Sequence, residues 1–242
     1  MTNGDRKRMQ DLILVERFPH IFCPGCGNGV VLKATYEAIS TMDREFVFLG
    51  GIGCSARIAT YFRGDVIRGA HGRALPIATG IKSIRPDVDV IVFTGDGDAS
   101  AIGGNHLIHS ARRNLDVTVV CVNNFVYGMT GGQVAPTTPK GKKTSTTPEG
   151  NEERPFDISK LVLAAGASYV ARWTVLQFKP LVRSIRRGIE TKGFSFIEVL
   201  SPCPVGFGRR NDMSIEELWA MYRDLSRGEE IEIGEISRRG ET

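Results

Sequence analysis

Two short turns, each preceded by an apolar run, most constrain how this chain of 242 residues can fold. Thr-Gly-Asp-Gly-Asp fills positions 94–98 after the run at 88–93, and Asn-Asn-Phe-Val-Tyr-Gly fills positions 123–128 after the run at 117–122. Residues 99–113, between the two turns, have helical character. A strand–turn–helix–strand–turn unit is nearly always right-handed, and it places both turns at the carboxyl edge of one parallel sheet.

The residues at these turns suit a magnesium–diphosphate ligand. Asp96 and Asn124 become neighbours at this edge although they are 28 positions apart in the sequence. Gly95 and Gly97 allow a tight turn and a close approach to a ligand, and the following helix presents its positive end to an anion. The Asp96 carboxylate, the Asn124 oxygen and a nearby carbonyl would form part of a magnesium shell. Either turn alone is ordinary turn chemistry, but the pair on one unit favours the magnesium–diphosphate interpretation.

The rest of the chain alternates strands and helices, which predicts an α/β fold with a doubly wound, mostly parallel sheet. We predict one domain over residues 1–242, with an N-terminal arm at 1–20 and a charged, exposed tail after Arg227. The polar segment 130–155 is too long for a plain connector, so it is a lid, a binding loop or a disordered segment. The other predicted helices are at 29–41, 74–84, 156–165 and 175–190 and from Ser214, and the other strands are at 45–49, 168–171 and 194–200.

The composition limits the class of protein. Apolar residues make up 41% of the chain and charged residues 24%, as in ordinary globular proteins. The net charge of +4 is small and scattered, so we predict no nucleic-acid partner. No apolar segment reaches membrane-spanning length and no signal-peptide pattern occurs, so we predict a cytoplasmic protein without a membrane partner.

Five cysteines in a reducing compartment favour metal or catalytic use over disulfides. Cys121 lies within an apolar run and is expected to be a small core residue. Cys23, Cys26, Cys54 and Cys203 instead lie in loops rich in glycine or proline. The Cys-x-x-Cys spacing directs two thiolates to one metal, so a structural zinc ion and an iron–sulfur cluster are both candidates. A single Cys-x-x-Cys and a Cys-Pro ending favour the cluster over zinc, and a set without metal is the third alternative.

The order of these motifs resembles that of the β subunits of 2-oxoacid:ferredoxin oxidoreductases. Gly-Asp-Gly, followed after 25 residues by Asn-Asn, is also similar to the fingerprint shared by thiamine diphosphate enzymes. The resemblance to the β subunits covers roughly residues 18–212. Its motifs are, in order, Cys-Pro-Gly-Cys-Gly, Gly-Ile-Gly-Cys-Ser, His-Gly-Arg, Gly-Asp-Gly-Asp, Asn-Asn-x-x-Tyr-Gly-Met-Thr-Gly-Gly-Gln and Ser-Pro-Cys-Pro.

The resemblance implies three groups of site residues. Asp96, Asn124 and the carbonyl of Val126 would bind Mg²⁺. The four loop cysteines named above would bind one [4Fe–4S] cluster close to thiamine diphosphate. The thiamine diphosphate itself would be lined by Ile52, Gly53, Cys54, Ser55, His71, Gly97, Asp98, Gly128 and Met129.

The family reaction that the resemblance implies is the oxidative decarboxylation of a 2-oxoacid with coenzyme A, giving acyl-CoA, CO₂ and reduced ferredoxin. His71 would reach the cofactor or the reacting carbonyl, or alternatively satisfy backbone groups of its own turn. Arg57, three residues after Cys54, would contact a substrate carboxylate, or alternatively be a solvated or structural arginine. Arg57 and the segment 206–211 resemble the 2-oxoglutarate branch more than the pyruvate branch.

The resemblance also implies partners. Thiamine diphosphate needs a second module that binds the aminopyrimidine and supplies an activating glutamate. A separate α subunit would provide both, so the active site would lie at an interface. Ferredoxin, the 2-oxoacid and coenzyme A are the other expected partners, and the resemblance leaves room for additional small subunits. The lysine-rich run 140–143 is a candidate for coenzyme A phosphates or simply a solvated loop.

Three alternatives remain open from the sequence. The substrate could be pyruvate or a branched-chain 2-oxoacid rather than 2-oxoglutarate. A subunit of a non-redox thiamine diphosphate enzyme would contain no iron, and it would leave the four cysteines unexplained. A zinc-stabilised scaffold module would contain stoichiometric zinc and no thiamine diphosphate.

Overall fold

The computed structural model describes residues 11–236 and contains one large sheet. Its seven strands lie in the order β2-β1-β3-β4-β8-β7-β9, and all adjacent pairs are parallel except β7 and β9. Two further strands, β5 and β6, form a small antiparallel hairpin. The strands are β1 (Phe46–Gly50), β2 (Asp65–Arg68), β3 (Asp89–Gly95), β4 (Val117–Asn123), β5 (Val126–Tyr127), β6 (Gln133–Val134), β7 (Tyr169–Thr174), β8 (Phe194–Leu200) and β9 (Gly234–Glu235).

Helices cover both faces of the sheet. Every residue of the central strands β4 and β8 is buried, as expected for parallel strands with helices on each side. One hydrophobic layer joins α1, α5 and a 3₁₀ helix, Ser55–Tyr61, and the other joins α2, α3 and α4. The helices are α1 (Asn28–Ile39), α2 (Ala74–Ile84), α3 (Gly104–Arg112), α4 (Ile158–Ala165), α5 (Phe178–Glu190) and α6 (Ile215–Leu225). The doubly wound, mostly parallel fold is therefore confirmed.

Most predicted elements occur within a few residues of their expected bounds. The helix at 74–84 and the strand at 194–200 match the structure at both ends. The predicted start at Ser214 is confirmed by a capping box, in which the Ser214 hydroxyl accepts from the Glu217 N–H at 3.1 Å. The Glu217 carboxylate in turn accepts from the Ser214 N–H at 2.7 Å, so both ends of this cap are satisfied.

The predicted helix at 99–113 is wrong in one respect, because it is divided. A π-helical turn, Asp98–Ile102, comes first, and α3 begins only after Gly103. The backbone of Gly103 packs against Gly72 and the Ala99 carbonyl, where a side chain would collide. This close approach interrupts the regular helix and brings the turn before α2 against the turn after β3.

The two ends of the described chain are attached more firmly than predicted. In the predicted arm, Ile13 is buried and forms an isolated bridge with Phe62. The tail is not wholly exposed, because β9 pairs with β7 and Ile236 is buried. Residues 1–10 and 237–242 of the predicted arm and tail lie outside the described residues. Within residues 11–236, no helix has both the length and the apolar character needed to cross a membrane.

Candidate active site

A cavity of about 190 Å³, here called the edge cavity, opens at the carboxyl ends of β1, β3 and β4. The βαβ unit places its two turns side by side there, as the sequence predicted. All the residues predicted to hold magnesium or line thiamine diphosphate are in its wall. The lining residues are Ile52, Gly53, Cys54, Ser55, His71, Gly95, Asp96, Gly97, Asp98, Asn124, Val126, Tyr127, Gly128, Met129 and Thr130.

Asp96 supplies the carboxylate of the predicted magnesium site. Its side chain is only 2% exposed, and its Oδ2 accepts a hydrogen bond from the Thr137 hydroxyl. Burial raises the pKa of Asp96 to about 7, while the hydrogen bonds from Thr137 and from backbone N–H groups oppose that rise. A buried carboxyl with so high a pKa is poised to exchange its proton for a cation.

Asn124 supplies the neighbouring amide oxygen. Its Oδ1 accepts from the Val126 N–H at 3.3 Å, and Phe125 between them has a left-handed backbone with φ 66°. This turn directs the Asn124 side chain and the Val126 main chain to the wall that also carries Asp96. No three His, Cys, Asp or Glu side chains in residues 11–236 are placed around a single ion. A magnesium shell of one carboxylate, one amide oxygen and one carbonyl, completed by phosphate and water, does not need three such side chains.

Magnesium binding is expected to weaken as the pH falls through about 7, because the Asp96 proton must leave before the metal can bind. Below that pH, the affinity should drop by about tenfold per pH unit. Titration with Mn²⁺, followed by the electron paramagnetic resonance (EPR) signal of the free ion, measures the affinity without diphosphate. Asp96→Asn is the matched control, and its weak residual binding should lack this dependence. An unchanged affinity of the wild type from about pH 5.5 to 8 would contradict the assignment.

Asn123, the first asparagine of the pair, has a structural role. Its side-chain NH₂ donates to Glu198 Oε1 at 2.7 Å, and its Oδ1 accepts from the Phe125 N–H at 3.1 Å. Glu198 is buried and also accepts from Arg172 at 2.8 Å and from Ser159 at 2.5 Å. This buried network supports the turn from beneath, so that Asn124 is held at the cavity wall.

Asp98 is a buried acceptor that joins three segments. Its Oδ1 lies 2.5 Å from His71 Nδ1 and accepts from the N–H groups of Gly72 at 2.7 Å and Ile52 at 3.3 Å. Its Oδ2 accepts from the Thr94 hydroxyl at 2.6 Å. The sequence predicted that Asp98 lines the diphosphate, and the residue does line the edge cavity. Its carboxylate, however, is occupied by partners in this chain, which makes Asp98 a positioning residue.

His71 is oriented by this contact. With Nδ1–H donating to Asp98, the other ring nitrogen, Nε2, remains for a ligand. The side chain is 35% exposed, and its ring lies 6.0 Å from that of Tyr127 in an edge-on arrangement. The structure therefore places His71 at the cavity, supported by a buried carboxylate rather than by its own turn alone.

Replacing Asp98 with asparagine is expected to lower kcat by about 10²-fold or more, because one side-chain oxygen cannot accept from all four donors. The amide would also change which nitrogen of His71 carries the proton. Steady-state kinetics of this chain together with the α subunit that the resemblance implies measure the effect. Asp116→Asn is the control, since Asp116 is a partly buried aspartate that does not line the edge cavity and instead pairs with Lys82 and Lys192. Equal kcat values for the two variants would contradict this role.

Two glycines are required by packing, namely Gly97 in the wall of the edge cavity and Gly51, which precedes the wall residue Ile52. A Cβ at Gly51 would overlap the Asp98 carboxylate, and a Cβ at Gly97 would overlap the ring of Tyr127. The Tyr127 hydroxyl also donates to the Gly97 carbonyl at 3.3 Å. Tyr127 thus covers the first turn, a role that the sequence did not predict although the residue lies within the second motif.

The segment 130–155 packs against the site. Thr137 and Thr138 are buried: Thr137 donates to Asp96, and Thr138 donates to the Phe125 carbonyl at 2.6 Å. The side chain of Asn151 donates to the Thr138 carbonyl at 2.7 Å, which holds the far end of the segment in place. Of the three interpretations of this segment, the structure supports a loop that helps to build the site.

A second cavity, of about 310 Å³ and here called the four-cysteine cavity, lies beside the first. Its wall contains Cys23, Cys26, Cys54 and Cys203, together with Asn28 and Arg57. The two cavities share the wall residues Cys54, Asn124, Gly128 and Met129. All five cysteines are free thiols, and Cys121 is fully buried within β4 as the sequence predicted.

Three of the loop cysteines, Cys26, Cys54 and Cys203, sit in an environment that is unfavourable for bare thiolates. Burial raises the pKa of Cys26 to about 12, and its three loop partners add repulsion. Burial likewise raises the pKa values of Cys54 and Cys203. Backbone N–H groups oppose this: Asn28 lowers the pKa of Cys26, and Gly206 donates to Cys203 Sγ at 3.4 Å. Ionised thiolates would therefore need a positively charged centre among them.

The structure brings the four loop cysteines to the wall of one cavity of about 310 Å³. Within residues 11–236, no group of three or more cysteine, histidine or acidic side chains is placed to hold a metal ion. The three alternatives for these thiols, namely zinc, an iron–sulfur cluster and a set without metal, therefore stay open at this point.

Arg57 lines the four-cysteine cavity rather than the edge cavity. Its Nε is buried and has no hydrogen-bond partner within the described chain. Its positive charge opposes the rise in the pKa of Cys54. The residue is therefore neither fully solvated nor part of a salt bridge between residues 11 and 236, and its guanidinium keeps donor capacity for a ligand.

Comparisons with known proteins lead to the same class of protein as the fold and the edge cavity, namely the thiamine diphosphate enzymes. Residues 51–199 match the family described as "Thiamine pyrophosphate enzyme, C-terminal TPP binding domain". A 2-oxoglutarate synthase subunit KorB of Methanothermobacter thermautotrophicus is 55% identical over 201 residues, 82% of this chain and 70% of that protein. The subunit of the same name from Archaeoglobus fulgidus is 48% identical over 225 residues, 86% of this chain and 84% of that protein.

A solved structure extends the similarity to three dimensions. A chain of the 2-oxoglutarate:ferredoxin oxidoreductase from Magnetococcus marinus, with 2-oxoglutarate, coenzyme A and succinyl-CoA bound, superposes with a TM-score of 0.82 at 31% identity. The match covers 96% of this chain and 85% of that chain. This chain belongs to the family of β subunits of 2-oxoacid:ferredoxin oxidoreductases. The predicted resemblance is therefore confirmed.

Proposed function

We propose that this chain is the β subunit of a 2-oxoglutarate:ferredoxin oxidoreductase. The assembled enzyme would convert 2-oxoglutarate and coenzyme A into succinyl-CoA and CO₂ and pass the electrons to ferredoxin. The observation that carries the proposal is the shared wall of the two cavities, formed by Cys54, Asn124, Gly128 and Met129. A magnesium–diphosphate site and a four-thiol site in contact suit an enzyme that couples decarboxylation to electron transfer.

Thiamine diphosphate with Mg²⁺ is the group that we assign to the edge cavity. When bound, this cofactor supplies a carbon nucleophile and an electron sink for decarboxylation. Asp96, Asn124 and the Val126 carbonyl would hold the metal, since they provide the hard oxygen ligands that magnesium prefers. His71, held by Asp98, would present Nε2 to the reacting end of the ligand, where it can donate or accept a proton.

A [4Fe–4S] cluster is the group that we assign to the four-cysteine cavity. The donor set of four thiols in one cavity wall matches it, and a single Cys-x-x-Cys with a Cys-Pro ending is more typical of a cluster than of zinc. Backbone N–H groups of Asn28, Gly206 and Phe207 lower the pKa values of Cys26 and Cys203. Such donors would stabilise the ligands as thiolates, and Cys54 would connect the cluster with the edge cavity.

A separate α subunit is expected to complete the edge cavity by binding the aminopyrimidine and supplying the activating glutamate. Three apolar side chains around the two cavities remain substantially exposed, namely Ile21, Met129 and Val205. Their position supports an interface over the mouths of the cavities. Coenzyme A would then bind at the site that the two subunits form together. The lysine-rich run 140–143, the candidate for the coenzyme A phosphates, lines neither cavity.

The preference for 2-oxoglutarate is assigned to Arg57, whose unpartnered Nε can serve a distal carboxylate. Arg57→Ala is expected to raise the KM for 2-oxoglutarate by about 10- to 100-fold, the value of a lost hydrogen bond between charged groups. The KM for a monocarboxylic 2-oxoacid should change little. For Arg57→Lys, which keeps the charge, the KM for 2-oxoglutarate should lie between the values for the wild type and for Arg57→Ala. Equal increases for dicarboxylic and monocarboxylic substrates would remove the assignment.

The proposal is tested with the chain co-expressed with its α subunit and purified without oxygen. Ferredoxin reduction should require both 2-oxoglutarate and coenzyme A, and pyruvate should support it far less well. Release of CO₂ without reduction of ferredoxin or dye would instead indicate a non-redox thiamine enzyme. Faster reduction with pyruvate or a branched-chain 2-oxoacid would overturn the substrate assignment and leave the redox assignment in place.

A further inference from the structure

Asn28 carries a buried polar group that the proposed function does not yet use. It is the first residue of α1 and follows the Cys-x-x-Cys loop directly. The residue is 1% exposed, lies in the wall of the four-cysteine cavity, and its Oδ1 has no hydrogen-bond partner within the described residues. A buried amide oxygen without a partner is costly, so this position indicates a ligand beyond the chain itself.

A group held by the four cysteines could serve, because they line the same cavity as Asn28. The Asn28 main-chain N–H already donates to Cys26, which fixes the start of α1 against the thiol. Rotation of the amide about its last bond exchanges the oxygen and the NH₂ group, so the side chain can present a donor to the same space. Thiolate and sulfide sulfurs in that cavity would be acceptors for it.

A purely structural role accounts less well for Asn28. Thr35, the other buried polar residue of α1, satisfies itself by donating to the Val31 carbonyl at 3.0 Å. Asn28 makes no such bond, although it lies on the same helix and is buried to the same degree. The difference between them is that Asn28 faces the four-cysteine cavity and Thr35 does not line it.

We propose that the side-chain amide of Asn28 donates a hydrogen bond to the sulfur atoms of the cluster and thereby raises its reduction potential. The inference rests on the proposed function, because it requires the cluster that we assign to the cavity. Reduction adds negative charge to the sulfur atoms, so a nearby donor stabilises the reduced state more than the oxidised state. Asn28 would thus be a positioning and tuning residue rather than a catalytic one.

The test uses the assembled complex, purified without oxygen, with Asn28→Leu and Asn28→Asp in this chain. Leucine removes the donor with little change of volume, whereas aspartate also adds a negative charge. Potentiometric titration followed by EPR should give a lower midpoint potential for the leucine variant and a still lower one for aspartate. Thr35→Val, a buried polar-to-apolar change on the same helix, should leave the potential unchanged.

The graded order from wild type through leucine to aspartate distinguishes tuning from a general loss of packing. A leucine variant with full iron and sulfide and an unchanged midpoint potential would overturn the inference. If the Asn28→Leu variant does not fold, an Asn28→Asp variant whose midpoint potential equals or exceeds that of the wild type would equally overturn the inference. Wild-type protein without any cluster would instead overturn the proposed function, so the two failures are distinct.

Discussion

Asp96→Ala is expected to abolish magnesium-dependent binding of thiamine diphosphate and to lower the rate of 2-oxoglutarate oxidation by about 10³-fold or more. Asp96 supplies the only carboxylate among the three predicted magnesium ligands, and its side chain is only 2% exposed. Without the metal, the diphosphate would meet only backbone dipoles at this edge of the sheet. The loss should therefore appear in cofactor content as well as in rate.

Equilibrium dialysis of the assembled enzyme against thiamine diphosphate measures the first effect, and ferredoxin reduction measures the second. Asp116→Ala is the matched control, because Asp116 precedes β4 at the end opposite the edge cavity and pairs with Lys82 and Lys192. The iron content of the Asp96 variant should stay at the wild-type level, which would show that the domain is folded. If the Asp96→Ala variant binds thiamine diphosphate as tightly as the wild type does, magnesium must bind elsewhere.

Cys54→Ala is expected to abolish ferredoxin reduction while leaving thiamine diphosphate bound. Cys54 is in the wall of both cavities, but only its thiol is assigned to the cluster. Removal of one ligand of four should destabilise the cluster, because burial raises the pKa values of Cys26 and Cys203 and so opposes their ionisation. The rate of ferredoxin reduction should fall by about 10³-fold or more.

Cys121→Ala provides the matched control for this variant. Cys121 is fully buried in β4 and belongs to the core, so its replacement should cost about 1 kcal/mol of stability and leave the iron content unchanged. Visible absorbance and iron analysis separate the two variants directly. Full retention of iron and ferredoxin reduction in Cys54→Ala would remove this residue from the ligand set.

The apolar runs explain why so much of the site could be predicted from the sequence. The connection between two parallel strands through a helix is nearly always right-handed, and this connection places Asp96 beside Asn124. The glycine-rich loop after β1 follows the same rule, since it too leaves a parallel strand at its carboxyl end. The parallel, doubly wound sheet followed from the alternation of strands and helices along most of the chain, whereas the order of the strands comes from the structure alone.

Contacts that depend on packing rather than pattern were missed. Thr137 reaches Asp96 across 41 positions from a polar segment without periodicity, so nothing local marks it. The 3₁₀ helix after Cys54 places Arg57 in the wall of the four-cysteine cavity, a position that the sequence did not specify, and its contact with the substrate stays a prediction. The edge strands β2 and β9 are short and polar, and only their pairing with β1 and β7 identifies them as strands.

The most direct test of the account is the metal content of the wild-type chain in its complex with the α subunit, purified without oxygen. Iron, acid-labile sulfide and zinc are measured together, with the visible spectrum before and after dithionite. The account predicts about four irons and four sulfides bound by this chain, with a brown colour that bleaches on reduction. One tightly bound zinc ion in a colourless protein would contradict it, because the four-cysteine cavity would then have no part in electron transfer.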